Sequence, residues 1–325
     1  MPPGRPTTIL LFAAFALGCA GAGSRTNTAT GILPAPISVV AGESGQVFRV
    51  SGEQAVYAPK LPHPAPVPAD GKFVFAVMGD NRGAVTGKPS PEFLKLIDRM
   101  NGDNPAFVLN TGDMIRGYTT DRSFLRDQWN GYLGAVAGLK APMYHAPGNH
   151  DWFDAQSAKA YLEAVGPSFY SFDYGIARLV ALDTESDAGR IGPEQFTWLE
   201  RELETAVGKK VFIFLHRPLF PVDGHVGSSL DEHPADRDRL HSLFVKHKAE
   251  IAAVFAGHEH VYNEQVRDGI TYYITGGGGA PLYAAPEKGG YYHYLAVRVD
   301  PPNAAIELRR TEASALPAGA VPVPR

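Results

Sequence analysis

The chain predicts an α/β fold organised on a parallel sheet. Three observations point there. Apolar runs such as Phe73–Met78 and Val211–Leu215 recur, as strands buried on both faces require. Apolar residues at helical spacing fill the segments between the early runs. Several runs end in Gly-Asp, Gly-Asn-His or Gly-His clusters, and open sheets gather ligand sites at the carboxyl ends of their strands.

With 325 residues, 44% hydrophobic and 20% charged, the chain can fill one large core or two smaller ones. A formal net charge of −4 gives no basic surplus, so no nucleic-acid partner is expected. Cys19 is the single cysteine. It can make neither an intrachain disulfide nor a thiolate metal site. Any metal must therefore be held by oxygen and nitrogen.

The N-terminus reads as a targeting segment. Residues 1–18 carry Arg5 and then an apolar run from Ile9 to Leu17. That run is shorter than the roughly 20 residues of a membrane span but suits the apolar region of a secretory signal peptide. It ends Ala16-Leu17-Gly18-Cys19-Ala20, which resembles a bacterial lipobox. The resemblance implies cleavage before Cys19, a lipid anchor on its thiol, and an exported lipoprotein facing the periplasm or cell surface. An ordinary signal peptide cleaved further on is the plainer alternative. Residues 19–71, rich in Pro, Gly and Ser, read as a tether ending in the polyproline-like stretch Leu61–Pro68. Ile37–Val40 and Gln46–Val50 are candidate short strands packed on the main domain. That domain spans 72–312, and 313–325 reads as a disordered tail.

Phe73–Met78 opens the domain as a strand and leads into Gly79-Asp80-Asn81-Arg82. Ser90 caps a helix that starts at Pro91 and turns Phe93, Leu94, Ile97 and Met100 inward. Ala106–Asn110 is the next strand and ends Thr111-Gly112-Asp113. A helix through Phe124, Leu125, Trp129, Leu133 and Val136 precedes the strand Ala141–Ala146, which enters the turn Pro147-Gly148-Asn149-His150-Asp151. This alternation predicts parallel pairing with right-handed crossovers. A hairpin around Gly175, a helix from Pro193, and a strand ending at His216 come next. A helix through Leu240, Leu243 and Phe244 leads to a strand ending Gly257-His258-Glu259-His260. Strands near 271–275, 292–299 and 304–308 close the domain.

The strand ends collect Asp80, Asp113, Asn149, His150, His216, His258 and His260. Carboxylate, amide oxygen and imidazole suit borderline-hard metals. The order of these blocks, each after a strand, resembles the calcineurin-like metallophosphoesterase superfamily. Tyr170–Gly175, Glu194–Glu200 and Gly257–Tyr262 are similar to its purple-acid-phosphatase-like branch. The resemblance implies a four-layer α/β/β/α sandwich of two mixed β-sheets flanked by helices. It also implies a binuclear metal centre that hydrolyses phosphate mono- or diesters with a water activated between two ions. Fe, Mn and Zn all suit the ligands. Residue by residue, Asp113 would bridge both ions. Asp80 and His260 would complete the first, and Asn149, His216 and His258 the second. His150 would be the proton donor, with Asp151 orienting it and keeping it cationic.

The chain departs from the family pattern in two places. Arg82 stands where many members carry a histidine ligand, and Arg116 where the purple-acid-phosphatase branch carries a tyrosine. Tyr118 follows two positions later. The first ion is left with fewer protein ligands, and Asn81 or water becomes the candidate for the open place. Arg82 is a candidate fork for substrate phosphate or the ion-pair partner of an acidic residue. Tyr262 is a second candidate substrate contact.

Other polar residues carry structural readings. His145 belongs to a strand, His225 and His233 to a solvated loop, and His241 and His247 to a helix surface. Asp183 reads as structural. Glycines 276–279 lack the Lys-Ser/Thr and helix of a phosphate-binding loop and read as a tight turn near the site. No Gly-x-Ser-x-Gly elbow is present, which disfavours a serine hydrolase. Two function classes remain: a metal-dependent phosphoesterase, and a non-catalytic surface lipoprotein with a metal-bearing ligand-binding site. His150 discriminates between them, because a proton donor that binds no metal has no use in the second.

Overall fold

The computed structural model describes residues 37–41, 46–83, 87–222 and 227–311. The signal segment, Cys19, His225 and the tail lie outside the described residues. In chain order the strands are β1 (Ile37–Ala41), β2 (Val47–Ser51), β3 (Phe73–Met78), β4 (Val108–Asn110), β5 (Met143–His145), β6 (Tyr170–Tyr174), β7 (Ala177–Ala181), β8 (Lys210–Phe214), β9 (Ile251–Ala256), β10 (Tyr262–Arg267), β11 (Ile270–Thr275), β12 (His293–Asp300) and β13 (Asn303–Arg310). The helices are α1 (Pro91–Asp103), α2 (Arg122–Val136), α3 (Ala155–Val165), α4 (Pro193–Glu204) and α5 (Pro234–Lys246).

Two mixed sheets with flanking helices make the expected sandwich. One sheet runs β13-β12-β3-β4-β5 and the other β1-β2-β6-β7-β8-β9-β11-β10. β3, β4 and β5 pair in parallel, as their alternation with α1 and α2 predicts. Register aligns the strand exits. Met78 lies opposite Asn110 and Asn110 opposite His145, so three strands of the first sheet end level with one another. Phe214 lies opposite Phe255 in the second sheet, which brings the exits of β8 and β9 side by side.

Three apolar layers hold the sandwich. Between the sheets, Phe75, Phe107 and Leu109 meet Phe172, Leu179, Phe212 and Phe255. Phe75 stacks on Phe107 at 5.0 Å and meets Phe212 edge-on at 5.1 Å. Burying each such ring contributes about 1.5–3 kcal/mol. Outside one sheet, α1, α2 and α3 cover Ala76, Val108 and Met143. Outside the other, α4 and α5 cover Val180, Ile213 and Val254.

Local signals account for the helices. Ser90 accepts the Phe93 N–H at the start of α1, and Phe93, Leu96, Ile97 and Met100 are buried at helical spacing. Leu94, expected inward, is 46% exposed because Leu96 takes the buried position. α3 is absent from the sequence expectations. Its stripe includes the small residues Ser157 and Ala158, and its start is a capping box between Asp154 and Ser157.

The domain begins earlier than expected. β2 pairs with β6, and Phe48, Val50, Ala58 and Leu61 join the inter-sheet core. A 3₁₀ helix spans Gly52–Lys60. The proline-rich stretch is strapped to the core where Tyr144 donates to Pro62 O at 2.9 Å and Tyr174 to Pro66 O at 3.3 Å. Residues 46–71 are therefore part of the fold. Their prolines act as a cover whose carbonyls accept from core tyrosines.

Candidate metal centre

The level strand ends deliver donors from both sheets to one place. Asp80, Asp113 and Asn149 follow β3, β4 and β5. His216 follows β8, while His258 and His260 follow β9. Asp80, Asp113, Tyr118 and His258 adopt left-handed backbone angles, with φ of 59°, 57°, 45° and 72°. Non-glycine residues rarely adopt such angles, and those that do cluster at sites where the surrounding structure enforces them. Two glycines permit the approach of the loops. A Cβ on Gly148 would collide with the Asp113 carboxylate, and one on Gly257 with that of Asp80. The run 276–279 lies just behind, where Gly278 N–H donates to Gly79 O at 2.9 Å and Ala280 N–H to Asp80 O at 2.7 Å.

Asp113 occupies the middle. Its Oδ1 accepts the His150 backbone N–H at 3.0 Å and lies 3.3 Å from His216 Nε2. Its Oδ2 faces Arg82 Nε at 3.6 Å and His150 Nε2 at 3.8 Å. One donor atom each from Asp80, Asp113 and His260 falls within 4.8 Å of the others, and all three residues are buried. On the other side of Asp113, Asn149 Oδ1 lies 2.9 Å from both His216 Nε2 and His258 Nδ1.

Hydrogen bonds behind the imidazoles decide which nitrogen faces inward. A backbone carbonyl only accepts, so a ring nitrogen bonded to one must carry the proton. His216 Nδ1 donates to Thr111 O at 2.9 Å, and His260 Nδ1 donates to Pro281 O. Each ring thereby presents the Nε2 lone pair, the arrangement that fixes metal-ligating histidines. His150 Nδ1 likewise donates to Arg116 O.

The electrostatics favour a cation. Burial, and then the charge of Asp113, pushes the Asp80 carboxyl well above the usual carboxylate range. Burial also opposes ionisation of Asp113, but His216, His150 and Arg82 together outweigh it and hold its carboxyl below that range. Burial depresses the His258 imidazole well below its usual value and that of His260 to about 3. Both are neutral rings with lone pairs to offer. Two buried carboxylates facing neutral imidazoles and an amide oxygen are a donor set that a metal ion fits.

The structure brings all six expected ligands and His150 together. It assigns Asp151 a different position from the one expected. This fully buried carboxylate accepts four backbone N–H groups, from Asp113 and Gly148 on Oδ2 and from Met114 and Ile115 on Oδ1. Those bonds fill its lone pairs, and the His150 ring is held by Arg116 instead. Asn81 turns its amide oxygen to Asn110 at 3.1 Å and away from the open ligand place. Tyr262 donates to Glu264 at 2.9 Å and packs beside Tyr291 and His293, not against the cluster. His241, expected on the surface, is wedged between Tyr272 and Asp268 at 2.7 and 2.8 Å.

Three further residues surround the cluster: Tyr118, named above only for its position in the sequence, and Tyr283 and Arg217, which escaped the sequence reading. Tyr283 stacks on His260 with ring centroids 4.0 Å apart, and Arg82 donates to its hydroxyl at 3.4 Å. Tyr118 accepts from Asn149 Nδ2 at 2.9 Å and meets the His150 ring edge-on. It therefore supports the Asn149 side of the cluster. Arg217, directly after His216, is gripped by both oxygens of Glu185 at 3.0 Å. A polar residue beside a ligand was the available signal for Arg217. Tyr283 lies in an irregular loop that carries no such mark.

A two-sheet α/β sandwich with buried carboxylates and imidazoles at facing strand ends is the architecture of a metal-dependent hydrolase. The family model for calcineurin-like phosphoesterases matches residues 73–262, more than half of the chain, and the chain belongs to that family. It is 28% identical over 166 residues to a probable glycerophosphodiester phosphodiesterase GpdQ of Arcobacter nitrofigilis, an alignment covering 48% of this chain and 57% of the relative. It is also 28% identical over 242 residues to probable inactive purple acid phosphatase 27 of Arabidopsis thaliana, covering 59% of this chain and 38% of that one. These alignments thus span roughly two fifths to three fifths of the relatives' lengths. In fold, the chain is similar to a dimetal phosphatase from Danio rerio, with a TM-score of 0.56 at 14% identity over 75% of this chain and 96% of that one. PhoD gives 0.55 at 16% identity over 87% and 79%.

Proposed function

We propose that this chain is a metal-dependent phosphoesterase that holds two metal ions and hydrolyses a phosphate mono- or diester, with His150 as general acid. The observation that carries the reading is the sharing of Asp113 between two donor groups. Asp80 and His260 lie on one side of it, and Asn149, His216 and His258 on the other. A pair of divalent or trivalent ions bound there would activate water and offset charge on the phosphoryl group. Fe, Mn and Zn all suit the donors.

The remaining roles belong to the chain. Asp113 sets the spacing of the two halves. Thr111 and Pro281 carbonyls hold His216 and His260 in their ligating tautomers. Arg116 O fixes His150 Nδ1–H, so Nε2 would give a proton to the leaving oxygen from the doubly protonated ring, a form that burial disfavours. The His150 side chain is 19% exposed, which leaves it open to an entering ester. Names of relatives point to glycerophosphodiesters for one and to inactivity for another. The inactive name keeps the binding-only alternative in play, and His150 weighs against it.

The test pairs metal analysis of the purified chain with assays of chromogenic mono- and diesters. Metal together with turnover supports the reading, and His150→Gln should lower kcat by about 10²–10⁴-fold while leaving metal content in place. Metal-loaded protein that turns over no ester, or a His150→Gln variant of full activity, overturns it. We also propose export and membrane anchoring through Cys19. Among the described residues no helix is long and apolar enough to cross a membrane.

A further inference from the structure

Arg82 is the residue by which this chain departs most from the pattern it otherwise follows. Its side chain is 14% exposed and sits beside the central carboxylate, yet its donors are mostly unspent. Nε is buried with no hydrogen-bond partner, and its 3.6 Å separation from Asp113 Oδ2 is too long for one. The terminal NH2 group reaches the Tyr283 hydroxyl at 3.4 Å, a long contact. Tyr283 is itself stacked on His260. A guanidinium carries five donors in a rigid plane, and leaving a buried donor unpaired costs free energy. The arrangement lacks an acceptor with oxygens to give.

We propose that Arg82 is a substrate-binding residue that takes a non-bridging phosphoryl oxygen and biases the site towards monoesters. The proposal rests on the phosphoesterase reading and deepens it. A phosphate monoester has three non-bridging oxygens and close to two negative charges, whereas a diester has two such oxygens and one charge. Where other donors already claim two oxygens, a further fork finds a partner in a monoester and an ester substituent in a diester. Charge-assisted planar recognition of this kind is the particular aptitude of arginine. Tyr283 positions the fork from the His260 side.

The test compares wild type, Arg82→Ala and Arg82→Lys for metal content, for kcat and KM on a mono- and a diester, and for binding of inorganic phosphate followed by titration calorimetry. Arg82→Ala should keep its metal, lose roughly 10- to 100-fold in kcat/KM on the monoester, lose distinctly less on the diester, and bind phosphate correspondingly more weakly. Arg82→Lys restores the charge without the planar fork and should recover only part of the loss. Equal losses on both esters, unchanged phosphate binding, or loss of metal from Arg82→Ala would each overturn the proposal. If wild type hydrolyses neither ester, the enzymatic reading fails first. Phosphate binding that weakens in Arg82→Ala would still assign the anion contact to Arg82, and binding that does not weaken would remove it.

Discussion

The Asp151 carboxylate accepts the backbone N–H of Asp113 at 2.8 Å, so the turn after β5 is bonded to the turn after β4 beneath the candidate metal centre. Asparagine at 151 would offer one acceptor oxygen where four N–H groups now point, and its NH2 would face donors. Asp151→Asn should therefore destabilise the fold by about 2–4 kcal/mol, read by denaturant unfolding. A variant of wild-type stability with a selective loss in kcat would return Asp151 to a catalytic role.

Ligand replacements should separate the two halves of the centre. Asp80→Asn should lower metal content on the His260 side alone, His216→Ala on the Asn149 side alone, and Asp113→Asn on both. Chelation should lower the melting temperature of wild type, because a ligand at 100 times its Kd stabilises by about 2.7 kcal/mol. Metal analysis and thermal scans with and without chelator read these outcomes. Equal metal loss in all three variants would argue against two separable sites.

Part of the acid sensitivity should arise from a buried histidine outside the donor cluster. His293 is buried between Thr275 and the Tyr291 carbonyl, and burial lowers its pKa to about 4. The unfolded chain takes up that proton near pH 6.5. The native state therefore keeps the full contribution of the neutral ring above about pH 6.5 and loses it as pH falls towards 4, on the order of 3 kcal/mol in all. His293→Gln should lessen the slope of unfolding free energy against pH over that window, with the other buried imidazoles keeping the remainder. An unchanged slope would count against this assignment.

The lipid-anchor proposal has a direct fractionation test. Cys19→Ser should move the chain from the membrane to the soluble exported fraction, with unchanged activity per molecule. Retention of the variant at the membrane would dismiss the anchor.

The strand ends were the most legible part of the sequence, since each candidate ligand sits one to four residues beyond a buried apolar run. Asp80, Asp113, Asn149, His216, His258 and His260 could be read that way because the strand pairing does the gathering. The features that escaped depend on contacts between distant segments. The partners of Asp151 are backbone groups, which a sequence does not mark. β10 alternates weakly, because Tyr262–Arg267 is an edge strand with little buried surface. The proline-rich cover looked like a tether because its composition suits one, whereas β2 falls on the candidate strand Gln46–Val50. Only the tyrosine bonds to Pro62 and Pro66 reveal the cover as part of the fold.

The division of the candidate ligands between the two sheets has a mechanical consequence. Asp80 and His258 are 178 residues apart and are already joined by the His258 N–H at 2.9 Å. With one cysteine, the chain has no covalent bridge between the halves of its sandwich. A loaded centre would act as a staple across the cleft and close very long chain loops from both sides. Separating the sheets would then require surrendering the metal, so loading should slow the rate of unfolding and protect the chain from proteases that attack its opened form.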